Sequence, residues 1–205
     1  MINTDTAKTK MKKDKQILVI PRSIFFKKGG WQGIKKDNLD YYLELLQNNS
    51  FFKRREDVEE DSSYLQIIPY SVFSFQDKFF LYKYIKKAGE KRLIGRYQLA
   101  VGGHIDLADG KDLELAALRE WEEEVDFKGK IIAKKLVGIL NDDTEMVERV
   151  HLGIIYHFTG DSDNIGVKEI DKLKGEMVQK ENILKYISDA DIWASIIWRD
   201  YISKL

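Results

Sequence analysis

Apolar positions along the chain change their spacing several times, and each change marks an element. Gln16–Ile20 is short, apolar and β-branched, which predicts a strand ending at Pro21, with Ser23–Phe26 continuing it beyond the proline. Gly29–Gly33 reads as a loop around Trp31. Leu39, Tyr42, Leu43 and Leu46 recur at helical spacing and predict a helix over Asn38–Leu46, capped by Asp37. Phe51-Phe52 leads into the charged run Lys53–Asp61, a surface connection. From Tyr64 the pattern turns to β: Leu65–Phe75 and Lys78–Ile85 form a hairpin about Gln76-Asp77, with a further strand at Arg96–Val101. Helix formers fill Leu113–Val125 behind Asp112, a capping residue. Strands follow at Ile131–Leu140 and Val147–Thr159, joined by the acidic loop Asn141–Glu145. A loop over Asp161–Lys174, a short strand near Met177 and helices at Glu181–Ile187 and Asp189–Ser203 complete the pattern.

Strands on both sides of a central helix, with helices at the end, define an α/β or α+β sandwich. The polar start, residues 1–15, is expected to be a disordered tail. Residues 16–63 read as an N-terminal strand–helix extension, and residues 64–205 as the main domain. Composition narrows the class further. With 205 residues and 43% hydrophobic content there is enough apolar material for a sizeable core. Thirty-four basic and 34 acidic residues cancel, so the overall balance gives no general attraction to duplex nucleic acid or to an anionic membrane. The absence of cysteine excludes disulfides and thiolate chemistry and fits a reducing compartment. No apolar run approaches the length of a membrane-spanning helix, and a cytoplasmic protein is the default expectation.

Candidate chemistry concentrates in the central helix. At about 100° per residue, Glu120, Glu123 and Glu124 share one arc, while Leu118, Trp121 and Val125 point elsewhere and can anchor the helix to a core. Three carboxylates on one face repel unless a cation sits among them, and hard oxygen donors suit Mg²⁺ or Mn²⁺. For a glutamate run taken alone, a solvated acidic face is the commoner outcome. Arg119 and the upstream pair Gly102-Gly103 shift the balance. The basic run Lys83, Lys86, Lys87, Lys91, Arg92 and Arg96 enters that glycine turn and could bring positive charge to an anionic substrate. His104 follows the glycines, whereas His151 and His157 lie on a strand at period-two spacing, as core or sheet-face residues do.

The stretch Gly102–Phe127 resembles the Nudix box: a glycine, five residues, Glu, seven residues, then Arg-Glu-apolar-x-Glu-Glu-x-Gly-apolar. Its second half is matched by Arg119-Glu120-Trp121-Glu122-Glu123-Glu124-Val125-Asp126-Phe127. Gln66–Tyr70, Gly138–Asp143 and Val150–Gly153 are similar to a bacterial subgroup described as MutT-like phosphoesterases. Two positions depart from the box. Lys111 stands eight residues before Arg119, where Glu is usual, and the stretch from the glycine to that position is two residues longer; Glu114, Asp109 or Asp112 are the possible substitutes. Asp126 replaces the late glycine, where a left-handed residue is expected to end the helix.

The resemblance implies an α/β/α sandwich around a mixed β-sheet and a Mg²⁺- or Mn²⁺-dependent pyrophosphatase. Such an enzyme hydrolyses the phosphoanhydride of a nucleoside diphosphate linked to another group. It implies metal ligation by Glu120, Glu123, Glu124 and the Gly103 or Gly102 carbonyl, orientation of Glu120 by Arg119, and an additional acid or base on a later loop. Glu169 or Asp171 are the first candidates for that base, with Asp142 and Asp143 as rivals. Arg92, Arg96 and His104 are the candidate substrate contacts, and Trp31 and Phe51-Phe52 could stack a base or simply pack. A homodimer is compatible with the sequence. The alternative function is a non-catalytic Nudix-derived module that binds a nucleotide as a sensor.

Overall fold

The computed structural model describes residues 15–85 and 94–205, the side chains of Met146 and Val147 excepted. In chain order the elements are β1 (Gln16–Pro21), α1 (Arg22–Phe25), β2 (Gly33–Lys35), α2 (Leu39–Asn49), β3 (Phe51–Arg54), β4 (Tyr64–Phe75) and β5 (Lys78–Tyr84). They continue with β6 (Tyr97–Gln98), β7 (Val101–Gly102), α3 (Leu113–Glu124), β8 (Val125–Phe127), β9 (Ile131–Asn141), α4 (Met146–Arg149) and β10 (His151–Gly160). The last are β11 (Ile165–Val167), β12 (Leu173–Gln179), α5 (Leu184–Ile187) and α6 (Ile192–Asp200).

Among the described residues ten strands make one mixed sheet, whose main path runs β12-β5-β4-β10-β9-β2. Of its pairings only β4 with β10 is parallel, so the two most central strands run together and the rest alternate. β4 is buried along almost its whole length, as a strand covered on both faces must be. It nevertheless holds Pro69. That side of β4 pairs with β1 at residues 64–66 and with β7 at residues 70–71, which leaves Pro69 between partners, where the missing N–H costs no registered bond.

Helices cover both faces. On one, Ala116, Ala117 and Trp121 of α3 pack with Phe25, Tyr42 and Leu46 against Phe73, Phe80 and Phe158. On the other, Trp193, Ala194, Ile196 and Ile197 of α6 pack against Tyr70, Val72, Leu81 and Ile155. The architecture is an α/β/α sandwich. Residues 16–63 add strands to it directly: β1 pairs with β4, and β2 with β9.

Several boundaries differ from the sequence pattern. Residues 22–25 are a helical turn, not a continued strand; Pro21 pairs with Tyr64 and the ladder stops there. Asn38, in the left-handed region at φ 55°, precedes α2, and no side chain caps that helix. Residues 51–54 form β3, antiparallel to β1. Residues 146–149 form a helical turn instead of beginning β10. Within the supposed loop after β10, Ile165–Val167 pairs with β8. That pairing explains the end of α3. The chain leaves the helix at Val125 in extended conformation (φ −107°, ψ 133°), and β-branched Val125 starts a strand that takes in Asp126, where a left-handed stop was expected. The expected disordered tail lies outside the described residues except for Lys15.

Candidate active site

The site is built on α3. Asp112 starts it, its carboxylate accepting from the amides of Glu114 (3.0 Å) and Leu115 (2.9 Å). Two small buried residues, Ala116 and Ala117, let the helix lie close on the sheet. Trp121 then fixes its rotation by stacking on Phe73 (5.1 Å between centroids) and meeting Phe158 edge-on (5.7 Å). With Trp121 inward, Arg119, Glu120 and Glu123 fall along the edge facing the glycine turn.

Arg119 is the hub. Its Nε donates to Asp109 Oδ1 (2.8 Å) and its Nη2 to Asp109 Oδ2 (2.8 Å), a bidentate pair. Nη2 also donates to the carbonyl of His104 (3.0 Å), and Nη1 donates to Glu120 Oε1 (2.8 Å) and Glu123 Oε1 (3.1 Å). Every guanidinium donor is thus used, and the Asp109 bonds, with the charges of Glu120 and Glu123, raise the Arg119 pKa further above its ordinary value. Glu120 is 9% exposed. Burial raises its pKa, and Arg119 opposes that shift. Gly103 backs onto this carboxylate so closely that a Cβ there would overlap it. A Cβ on Gly102 would overlap the Pro69 carbonyl. Close approach to backbone therefore requires glycine at 102, and a side chain at 103 would push the Glu120 carboxylate out of place.

Asp109 is the residue that counting back from Arg119 misses. That count lands on Lys111, whose Nζ instead donates to the Gln47 carbonyl of α2 (2.9 Å). Counted forward from Gly103, five residues lead to Asp109, and the two additional residues fall between Asp109 and the helix. Of the other substitutes, Glu114 pairs with Lys134 and Asp112 is spent on the cap. Asp109 is placed by its own turn: its Oδ2 accepts from the Asp106 amide (3.0 Å), while Asp106 Oδ1 accepts from Ala108 (3.0 Å). Burial opposes ionisation of Asp106, yet bonds from Lys15 and Ala108 hold it below the usual carboxylate range. β1 braces the same turn, through the Leu18 amide on the Ile105 carbonyl (3.0 Å) and Lys15 Nζ on Asp106 (2.7 Å). The N-terminal strand thereby supports the loop that holds Arg119. We expect Lys111→Ala to change stability by less than about 1 kcal/mol in urea unfolding, because it removes only an exposed bond outside the hub.

The remaining candidates are distributed as follows. Glu124 is half-buried, and its charge reaches Tyr82, whose hydroxyl burial already raises well above its ordinary value. The Glu124 carbonyl accepts the Lys168 amide (2.9 Å), and Lys168 Nζ donates to the Glu122 carbonyl, so the loop after β11 is tied to the end of α3. Glu169 follows on that loop, exposed and paired with Lys172 (2.7 Å); Asp171 is exposed beyond it. Asp142 and Asp143 are elsewhere, at the end of β9, the former bonded to Thr144 and the latter to Gln32. His104 is half-buried with Nε2 donating to Gln66 Oε1 (2.7 Å) and its ring 5.7 Å from that of His151. Arg96 is exposed beside the entry to β6; Arg92 lies outside the described residues. Trp31 packs among Phe25, Phe26 and Tyr42 and donates to the Ile139 carbonyl (3.2 Å), so it is core material. Phe51 is exposed and meets Tyr64 edge-on. Among the described residues no three His, Asp or Glu side chains are already gathered as a metal cluster.

A site of this kind, an Arg-Glu-x-x-Glu-Glu helix behind a glycine turn on a mixed sheet, defines a Nudix-type hydrolase fold. Comparison with known proteins agrees. The chain is 35% identical over 157 residues to Protein YmaB of Bacillus subtilis, a match covering 70% of this chain and 75% of that protein. The crystal structure of Tm1382, a candidate Nudix hydrolase, superposes with TM-score 0.80 at 28% identity, covering 93% of this chain and all of that one. The Nudix domain of Shewanella oneidensis NrtR, complexed with ADP-ribose, shares the fold at TM-score 0.55 and 10% identity over 68% of this chain and 88% of that one. No protein-family model matches the chain. The chain belongs to the Nudix family.

Proposed function

We propose that this chain is a Mg²⁺- or Mn²⁺-dependent hydrolase that cleaves the phosphoanhydride of a nucleoside diphosphate linked to another group. The observation that carries the reading is the Arg119 hub, which ties Asp109, Glu120, Glu123 and the His104 carbonyl into one arrangement beside Gly103. The donor set fits a hard divalent ion. It offers carboxylates on one helix, Glu120 among them nearly buried, and a glycine backbone directly against it. Glu120, Glu123, Glu124 and the Gly103 carbonyl would hold the ion. Bound there, it would supply charge neutralisation for the phosphates and a lowered pKa for water.

The chain's own groups do the rest. Arg119 fixes Glu120 through Nη1 and is itself fixed by Asp109, so the carboxylate cannot swing away. Glu169, on the loop docked to α3, accepts a proton from the attacking water once its carboxylate leaves Lys172. The water oxygen bonds to phosphorus, and the bridging phosphoanhydride oxygen departs with the second product. The sensor alternative, motivated by Lys111 and the longer loop, is weakened by the Asp109 pair on Arg119, which takes the place a glutamate would hold.

The test is a panel of nucleotides and nucleotide sugars, including ADP-ribose and UDP-glucose, assayed for phosphate-ester products with Mg²⁺ or Mn²⁺. Turnover of at least one member is expected, lost with chelator and lowered more than tenfold in Glu124→Gln. No turnover across the panel, or turnover indifferent to Glu124→Gln, sinks the reading.

A further inference from the structure

β4 is apolar along most of its length, yet Gln66 sits in it only 1% exposed. Its side-chain amide is used at both ends. Nε2 donates to the Val58 carbonyl (3.0 Å), and Oε1 accepts from His104 Nε2 (2.7 Å). A backbone carbonyl can only accept, so Val58 decides which way the Gln66 amide faces. Oε1 is then turned to the imidazole, and His104 must carry a proton on Nε2. Val58 is itself fixed, fully buried with Ile17 and Val19.

His104 is held through its main chain as well. Its carbonyl accepts from Arg119 Nη2 (3.0 Å), and its ring lies 5.7 Å from that of His151, whose Cα is paired with Gln66 across β10 and β4. On the other side of Gly103, Gly102 is in register with Tyr70 and closes on the Pro69 carbonyl. Gly103, with the backbone freedom of a glycine, is thus flanked by two fixed neighbours. Its carbonyl belongs to the peptide unit that joins it to His104, so fixing His104 at ring and main chain limits how that unit can turn.

We propose that Gln66 is a positioning residue: anchored on Val58, it acts through His104 to keep the Gly103 carbonyl in place as a metal ligand. The inference rests on the hydrolase reading for the ion that this carbonyl would help hold. Residues 16–63 then reach the site through a side chain of β4 as well as through β1. The test compares the full-length wild type, Gln66→Met, His104→Phe and the double variant. Mn²⁺ affinity is read by isothermal titration without substrate, and kcat is followed against Mn²⁺ concentration. Gln66→Met keeps the side-chain length and loses both bonds, while His104→Phe keeps a ring and loses Nε2. Each single variant is expected to raise the Mn²⁺ Kd about tenfold, as loss of an outer partner of a metal ligand does. The double variant should be no weaker than the worse single, because both cut the same connection. Raised Mn²⁺ should return kcat to within about threefold of the wild type, which a general loss of structure would not allow. A Gln66 that served only the Val58 carbonyl would leave Mn²⁺ affinity unchanged in the folded variant, or would multiply with His104→Phe in the double variant; either result overturns the proposal. If Gln66→Met does not fold, His104→Phe decides: an unchanged Kd overturns the proposal, and a raised Kd with kcat restored by Mn²⁺ upholds it. Equal affinities in all four chains with normal turnover remove the positioning role and leave the hydrolase reading intact. A wild type that turns over nothing, yet binds Mn²⁺ in this Gln66-dependent way, upholds the positioning role and removes the hydrolase.

Discussion

Asp109→Ala is expected to cost about 2–4 kcal/mol of folding stability and at least a hundredfold in kcat. Asp109 is 3% exposed at its side chain and Arg119 20%, so the substitution strands a mostly buried guanidinium with its Nε and half of its Nη2 bonding lost. Removing one partner of a fully buried pair costs about 3–5 kcal/mol; the fifth of Arg119 still open to water places this case somewhat lower. The loss spreads, because Asp109 Oδ2 also accepts the Asp106 amide and so holds the turn. Arg119, released on that side, no longer fixes Glu120. Urea unfolding gives the stability change, and steady-state kinetics at a temperature where the variant is still folded give the rate. Asp109→Glu tests the geometry separately. It keeps the charge while lengthening the side chain by one methylene, and should recover more stability than activity. A stable Asp109→Ala with normal turnover would mean that Arg119 is held well enough by Glu120, Glu123 and the His104 carbonyl alone.

That residue also marks the limit of what the sequence discloses. The helix was legible because its signals are local: Asp112 at the cap, helix formers through Glu124, and Trp121 out of phase with the glutamates. The two layers of helices and the long strands were legible for the same reason, each element being long enough to repeat its period. Elements of three or four residues were not. Arg22–Phe25, Met146–Arg149 and Ile165–Val167 have too few positions for a period, and tertiary pairing decides them. Asp109 stood in the sequence as one of three possible substitutes, and the choice among them was hidden for a different reason. The helix sets one frame and the glycine turn another, and a two-residue insertion lies between them. Neither end of the Asp109–Arg119 bond reveals the other in one dimension.

Between pH 6.5 and about 4 the chain should lose about 3 kcal/mol of stability through His157 alone. Its imidazole lies on β10 with Ser74 Oγ 2.7 Å from Nε2 and the Tyr201 hydroxyl 2.7 Å from Nδ1, its ring stacked on Phe79 at 5.9 Å. Burial pushes its pKa from 6.5 down to about 4, and Lys135 adds to the shift. The sign follows from which state binds the proton. Above pH 6.5 the ring is neutral in both states and contributes no difference. Below it the unfolded chain takes up a proton that the folded chain refuses until about pH 4, so the unfolded state gains stability throughout that window. The neutral ring can satisfy both hydroxyls, one as donor and one as acceptor, whereas the imidazolium would sit desolvated beside a lysine. His157→Gln cannot titrate. Its urea midpoint should therefore be lower at pH 7 but nearly level from pH 6.5 to 4.5, where the wild-type midpoint falls. Two profiles falling in parallel across that range would show that the ring is protonated in the folded chain as easily as in the unfolded one.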